Sequence, residues 1–116
     1  MSIAIKRAYE DAARSDGQRV LVDRLWPRGV SKDKAALDDW AKEVAPSDDL
    51  RKWFGHDANK WTEFQKRFKS ELDDNEDAWK PLLERARSGD LTLVYAARDE
   101  EHNNAVVLKA YLENHL

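Results

Sequence analysis

Two short apolar runs place the strongest constraint on the fold of this 116-residue chain. The runs are Val-Leu-Val at residues 20–22 and Leu-Thr-Leu-Val-Tyr-Ala at residues 91–96, and neither contains a charged residue. Short, continuous apolar runs are typical of strands that are buried on both faces, as in the parallel sheets of α/β proteins. We therefore expect both runs to be buried strands of one sheet.

The other strand candidates have weaker patterns. In residues 2–6, two isoleucines alternate with Ala and Lys, which is the period-two pattern of a strand. The polar connection over residues 8–18 is short for a helical crossover, so the direction of this strand stays open. Residues 37–45 fit either a helical stripe or a strand, and we favour a strand over residues 38–44.

Helix signals dominate the middle of the chain. Ser47 is a suitable N-cap for a helix that ends at Gly55, and two Asp residues in its first turn interact favourably with the helix dipole. Asp57 caps the next helix, whose apolar residues recur at steps of three and four. This apolar stripe consists of Trp61, Phe64, Phe68 and Leu72.

A third helical segment opens at Asn75 and ends at residues 88–89. Its inward residues are predicted to be Trp79, Leu82, Leu83 and Ala86. Pro81 lacks an N–H donor, so we expect the regular helix to begin near Pro81 or to kink there. After the last strand, a polar loop over residues 98–104 leads into an apolar helix over residues 105–112, which we expect to pack flat on the sheet.

The order of these elements predicts the fold class. Strands come early, helices follow in the middle, and the chain closes with a strand, a loop and a helix. We predict an α/β fold with a small, mainly parallel sheet of three to four strands flanked by helices. The length indicates a single domain over residues 1–116, and a hydrophobic content of 41% is sufficient for a core.

Composition excludes several classes of chemistry. The chain has no cysteine, which excludes disulfides, Cys-ligated zinc, iron–sulfur clusters and thiolate nucleophiles. No apolar run approaches the ~20 residues of a membrane helix, and a net charge of −3 argues against a general nucleic-acid coat. We expect a cytoplasmic protein with no cofactor and no metal, since His56, His102 and an Asp lack any metal-ligand spacing.

Polar side chains follow both apolar runs at the point where each strand ends. Ligands of open parallel sheets bind beyond the carboxyl ends of the strands, so the loops over residues 23–29 and 98–104 are expected to share one rim. Arginines there suit bidentate contacts with phosphate or carboxylate, and the N-terminus of the last helix favours anions. The candidate ligand-binding residues are Arg24, Trp26, Arg28, Arg98, Asn103 and Asn104.

Asp23 and His102 are the candidate catalytic residues. Histidine exchanges a proton near neutral pH, and Asp23 could orient it or act as a base. Structural alternatives remain open for the same side chains. They are an ion pair of Asp23 with Arg24, Arg28 or Lys42, a local ion pair of Arg98 with Asp99, Trp26 as a loop anchor, Asn103 or Asn104 as a helix cap, His102 as a first-turn residue and His56 as part of a turn.

These residues support two main hypotheses about function. The first is a site for an anionic small molecule bearing phosphate or carboxylate, with acid–base catalysis as a further expectation. The alternative is a non-enzymatic binding module for a protein partner or nucleic acid, motivated by the basic stretch over residues 24–34 with Trp26 as a stacking residue. A homo-oligomer with exposed Trp or Phe residues at its interface is a third option.

Four motifs resemble those of the YeaO-like proteins, which are small bacterial proteins in a domain-of-unknown-function family. The motifs lie at residues 19–29, 42–47, 53–57 and 93–105, so the resemblance spans nearly the whole chain. It implies an α/β domain and no particular reaction, because the family has no agreed activity or catalytic residues.

The loop after the last strand departs from more distant members of the same broad group. Those members carry a Cys-His-Arg element there, an arrangement that resembles the anion loop of rhodaneses or phosphatases. This chain has His102, Asn103 and Asn104 in that loop and no cysteine anywhere. Thiol chemistry is therefore excluded, and we expect the loop to keep an anion-binding shape without the nucleophile.

Overall fold

One parallel sheet organises the chain in the computed structural model, which describes residues 2–116. Over that span the strands are β1 (Ile3–Arg7), β2 (Gln18–Leu21), β3 (Asp39–Trp40) and β4 (Leu91–Tyr95). They lie in the order β1-β4-β2-β3, and every pairing is parallel. The predicted α/β class with a small, mainly parallel sheet is confirmed, and the first strand, whose direction was open, also runs parallel.

The two apolar runs form the centre of the sheet, as predicted. All five residues of β4 are buried, and β4 pairs with β1 on one side and β2 on the other. Val20, Leu21 and Val22 have no exposed surface. The absence of charged residues in these runs is explained by this position, because neither face of a central strand reaches solvent.

Helices cover both faces of the sheet. They are α1 (Lys32–Ala35), α2 (Asp48–Phe54), α3 (Trp61–Asp73), α4 (Glu76–Ser88) and α5 (Asn104–Glu113). The predicted caps are confirmed: the Ser47 hydroxyl accepts from the N–H of Leu50, and Gly55 has a φ of 53°. Asp57 caps a short 3-10 turn that runs directly into α3. No helix within residues 2–116 has the length and apolar character needed to cross a membrane.

The strand predicted over residues 38–44 is wrong beyond Trp40. Only Asp39 and Trp40 pair with β2, and residues 42–44 form a 3-10 turn. β3 is an edge strand, and its partner β2 ends at Leu21, which lies opposite Trp40. Longer extended backbone would therefore have no neighbour for its hydrogen bonds. The turn instead buries Val44 in the core.

The first of the two alternatives for Pro81, a regular helix that begins near it, is also wrong, and a kink at Pro81 stays a prediction. Helix α4 begins at Glu76 and contains Pro81 within it. Proline removes the hydrogen bond to the carbonyl of Asp77, but both residues are exposed, so water can bind that carbonyl. The buried side of the same helix outweighs this loss. It consists of Trp79, Leu82, Leu83 and Ala86, as predicted.

The sheet separates two apolar clusters. The larger cluster joins Val20, Val22 and Leu93 to the buried sides of α2, α3, α4 and α5. On the opposite face, Leu21 and Val94 pack with a smaller group that is covered by the loop after β2 and by α1. That group consists of Ala8, Val30 and Ala35, with Trp26, Leu37 and Trp40 against them. Helix α1 was not predicted, because its four residues are too few to show a helical period.

Candidate functional site

A pocket of about 600 Å³ lies beyond the carboxyl ends of the strands. Its lining comes from the loop after β1, the loop after β2, the loop after β4 and the first residue of α5, with further residues from α2 and α3. This is where ligands bind in open parallel sheets. The two loops singled out from the sequence do meet at one rim, because β2 and β4 are parallel neighbours.

Most of the predicted site residues line this pocket. They are Asp23, Arg24, Trp26, Arg28, Arg98, Asn103 and Asn104. His102 does not line it. The histidine in the lining is His56, which follows the helix-ending Gly55 and has a φ of 58°.

His102 is held outside the pocket by two contacts. Its ring meets Trp61 edge-on with ring centroids 5.1 Å apart, and its Nδ1 lies 2.9 Å from the Asp99 carboxylate. Hydrogen bonds from the N–H of Glu101 and from His102 lower the pKa of Asp99 below its usual range. No hydrogen bond joins His102 to Asp23 among the residues that the structure describes. The catalytic pairing of these two residues stays a prediction.

The Asp23 carboxylate is held by two neutral donors. Its Oδ2 accepts from the N–H of Ala96 at 2.9 Å, and its Oδ1 accepts from Asn104 Nδ2 at 3.0 Å. Burial raises the pKa of Asp23, against the lowering effect of these two hydrogen bonds and of the nearby His56. The alternative of an ion pair with Arg24, Arg28 or Lys42 is wrong, since no ion pair within residues 2–116 includes Asp23.

The Arg24 guanidinium is engaged mainly by backbone carbonyls of the protein, which leaves less of it for a ligand. Its Nη2 donates to the carbonyl of Ala45 at 3.2 Å, and its Nε donates to the carbonyl of Pro46 at 3.4 Å. Its Nε also lies 3.8 Å from the Asp48 carboxylate. These contacts tie the loop after β2 to the segment before α2, so Arg24 shapes one side of the pocket.

Arg28 and Arg98 differ from Arg24 in having free guanidinium groups. Both side chains are exposed and line the pocket from different loops. Neither guanidinium has a hydrogen bond or ion pair with any residue of the described chain, which lacks only Met1. Arg51 of α2 lines the same pocket and lies 3.5 Å from Asp48. At Arg28 and Arg98, the rim therefore presents positive charge that no ion pair of the described residues engages, and the carboxylates of Asp23 and Asp99 also line the pocket.

Trp26 is both a loop anchor and part of the lining. Its indole N–H donates to the carbonyl of Val30 at 2.7 Å, and its ring packs edge-on against Trp40 with centroids 5.4 Å apart. The anchoring alternative is confirmed, and the ring still faces the pocket with part of its surface. The indole position is consequently fixed before any ligand arrives.

The two asparagines have separate roles. Asn103 is the N-cap of α5, since its Oδ1 accepts from the N–H of Val106 at 3.0 Å and its Nδ2 donates to the carbonyl of Asp99. The capping alternative is therefore confirmed for Asn103. Asn104 instead donates to Asp23 and to the carbonyl of Val22 at 3.1 Å. Asn104 thereby connects the start of α5 to the end of β2.

Cross-links between loops hold the rim in place. The Tyr9 hydroxyl donates to the carbonyl of Arg28 at 2.9 Å. The Arg7 guanidinium donates to the carbonyls of Ala97 at 2.8 Å and Ala96 at 3.3 Å. The loops after β1, β2 and β4 are therefore joined to one another. A site with fixed loops loses little conformational entropy when a ligand binds.

Several lining residues were missed from the sequence. They are Tyr9, Ala45, Pro46, Arg51, Phe54, His56 and Phe64. Tyr9 follows β1, so knowing the direction of that strand would have placed its loop at the rim. The turn at Gly55 and His56 was visible, but which way the imidazole faces depends on packing with the sheet. Within residues 2–116, no three His, Asp or Glu side chains are grouped so as to hold a metal ion.

Comparisons with known proteins agree with the resemblance that the sequence motifs indicate. Residues 2–116 match the family model described as "Inactive DUF488-N3 subclade". "Uncharacterized protein YeaO" of Escherichia coli (strain K12) is 43% identical over 114 residues, covering 98% of this chain and 99% of that relative. "Uncharacterized protein Rv3073c" of Mycobacterium tuberculosis is 40% identical over 110 residues, covering 95% and 92%. No solved structure matches significantly. The chain belongs to the YeaO-like family, in the inactive DUF488-N3 subclade.

Proposed function

We propose that this chain binds a small organic anion, bearing phosphate or carboxylate, in the pocket at the carboxyl ends of the strands. One observation carries the proposal. Arg28 and Arg98 extend from two cross-linked loops onto the same pocket, and neither guanidinium has a partner within residues 2–116. Guanidinium groups bind phosphate and carboxylate through paired, charge-assisted hydrogen bonds.

Two further features support the proposal, and the second favours an organic anion over an inorganic one. The first residue of the ten-residue helix α5 lines the pocket, so the helix dipole places a partial positive charge near it, which favours any anion. The remaining lining is largely apolar and includes Trp26, Phe54 and Phe64. Small-molecule sites combine such apolar surfaces with a few placed polar groups.

The proposal concerns binding and does not require a reaction. His102 lies outside the pocket lining, and the matched family model is described as inactive. Acid–base catalysis by Asp23 and His102 therefore stays a separate prediction.

The alternative function, a binding module for a protein or nucleic acid, has less support. Arg24 is engaged by backbone carbonyls, Lys34 pairs with Asp11 and the Trp26 ring packs against Trp40. Within residues 2–116, this leaves Arg28 and Lys32 as the basic side chains of the stretch without a hydrogen bond or ion pair.

Arg28→Ala is expected to weaken anion binding at least tenfold, because one charge-assisted contact contributes about 1.5–3 kcal/mol. Isothermal titration calorimetry with inorganic phosphate, guanosine monophosphate and citrate measures this. Arg14→Ala is the matched control: Arg14 is equally exposed but precedes β2, at the opposite end of that strand from the pocket. The proposal fails if no probe binds the wild type, or if both variants weaken binding equally.

A further inference from the structure

We infer that the ligand also carries a pair of N–H donors on a planar ring, as guanine nucleotides do, and that the Asp23 carboxylate accepts them. This inference rests on the proposed function and specifies the class of ligand. It assigns the carboxylate and the guanidinium groups of the pocket lining to two different groups of one molecule. The anionic group lies against Arg28 and Arg98, and the donor edge of the ring lies against Asp23.

Asp23 has unused acceptor capacity on the pocket. An ionised carboxylate has about four acceptor positions on its two oxygens. The N–H of Ala96 occupies one position on Oδ2, and Asn104 occupies one on Oδ1. Each oxygen thus keeps one free position, and Asp23 lines the pocket. Two parallel N–H donors match this arrangement, as the Watson–Crick edge of guanine would.

No ion pair within residues 2–116 includes Asp23, although the charge of the nearby His56 lowers the pKa of its carboxyl. The side chain is half-buried, and its hydrogen-bond donors within residues 2–116 are neutral. A partly buried carboxylate without a directly paired cation is unfavourable, and burial accordingly raises its pKa. A negatively charged group of the ligand would be repelled by this carboxylate. Donors on the ligand would instead satisfy the carboxylate, which favours a molecule with a donor edge and an anionic group.

Other residues of the lining fit a planar ring. Trp26 and Phe54 line the pocket together with Pro27 and Pro46. Flat apolar groups of this kind pack against the faces of a heterocycle, while its edge remains available for hydrogen bonds. A volume of about 600 Å³ is within the usual range for sites that enclose a small organic ligand.

Wild-type affinities for three nucleoside monophosphates test the inference by calorimetry. Guanosine monophosphate offers two N–H donors on one edge, inosine monophosphate offers one, and adenosine monophosphate lacks that pair. We expect inosine monophosphate to bind roughly tenfold more weakly than guanosine monophosphate or worse, because one charge-assisted hydrogen bond is lost. We expect adenosine monophosphate to bind more weakly still.

Two variants separate this inference from the proposed function. Asp23→Asn replaces one acceptor by a donor and is expected to abolish the preference for guanosine over inosine monophosphate. Arg28→Ala is expected to weaken the binding of guanosine monophosphate and of inosine monophosphate, and to leave the ratio of the two affinities unchanged. Equal binding of the three nucleotides by the wild type overturns the donor inference and leaves anion binding intact. If no anion binds, the proposed function falls as well. If Asp23→Asn does not fold, the ratios of the wild-type affinities for the three nucleotides still test the donor inference.

Discussion

Replacing Asp16 by Ala is expected to lower the free energy of unfolding by about 3–5 kcal/mol, because it leaves a buried guanidinium without its counter-charge. Asp16 and Arg19 are only 7% and 3% exposed, and Arg19 Nη1 donates to Asp16 Oδ2 at 2.6 Å. Arg19 Nε and Nη2 both donate to the carbonyl of Ala35. The pair therefore connects the turn before β2 to helix α1.

The same carboxylate gives this stabilisation a defined pH dependence. Burial acts to raise the pKa of Asp16, but hydrogen bonds from the N–H of Ala13 and from Lys6 and Arg19 hold it below its ordinary value of 3.8. A carboxyl with a lowered pKa in the folded state stabilises the protein above its unfolded pKa, and this contribution is lost as the pH falls through the folded pKa. The difference between wild type and Asp16→Ala should therefore narrow below about pH 4.

Urea denaturation at neutral and acidic pH measures both effects. Asp11→Ala is the matched control, because Asp11 also pairs with a lysine, Lys34, but its side chain is 95% exposed. Its removal should change stability far less than that of Asp16, because an exposed ion pair contributes little. Equal losses for the two variants would show that burial of the Asp16 pair contributes nothing.

The helices of this fold were predictable where local chemistry decides them. Ser47 and Gly55 bound α2, because a hydroxyl cap and a left-handed glycine act within a few residues. The end of β3 at Trp40 was not predictable in the same way, because it depends on where the partner strand stops. Pro81 shows the same limit: its local effect was known, but the burial of α4 outweighs it.

The candidate site was predictable from topology more than from motifs. Parallel neighbouring strands bring the loops after β2 and β4 to one edge, so Asp23, Arg28 and Arg98 line one pocket. Which histidine lines the pocket was not predictable, because the ring of His102 contacts Trp61 of α3, which is distant in the sequence. His56 takes its place in the lining.

The loop after β4 keeps its shape through its own hydrogen bonds, and this shape does not require a cysteine. Its polar groups bond mainly to one another, with Asp99 accepting from the backbone N–H of Glu101 and His102. Asn103 caps α5. The shape of the loop therefore depends on these internal hydrogen bonds, and a chain without cysteine can keep it. This is consistent with a binding role for a member of a subclade described as inactive.

Phe64→Ala is expected to destabilise the fold by about 3–5 kcal/mol and also to weaken anion binding. Phe64 is 2% exposed and stacks on Phe54 with ring centroids 4.2 Å apart, and both rings line the pocket. The packing of α2 on α3 and the apolar surface of the pocket thus share the same side chains. Loss of the ring should leave a cavity and let Phe54 move.

Phe68→Ala is the matched control for that variant. Phe68 is 1% exposed and its ring centroid lies 5.8 Å from that of Phe64, but it does not line the pocket. Both variants should lose similar stability in urea, whereas only Phe64→Ala should weaken binding of guanosine monophosphate, measured at a temperature where both are folded. If Phe68→Ala weakens binding as much, the loss reflects stability alone. A selective loss for Phe64→Ala would mean that one aromatic stack both stabilises the fold and shapes the site.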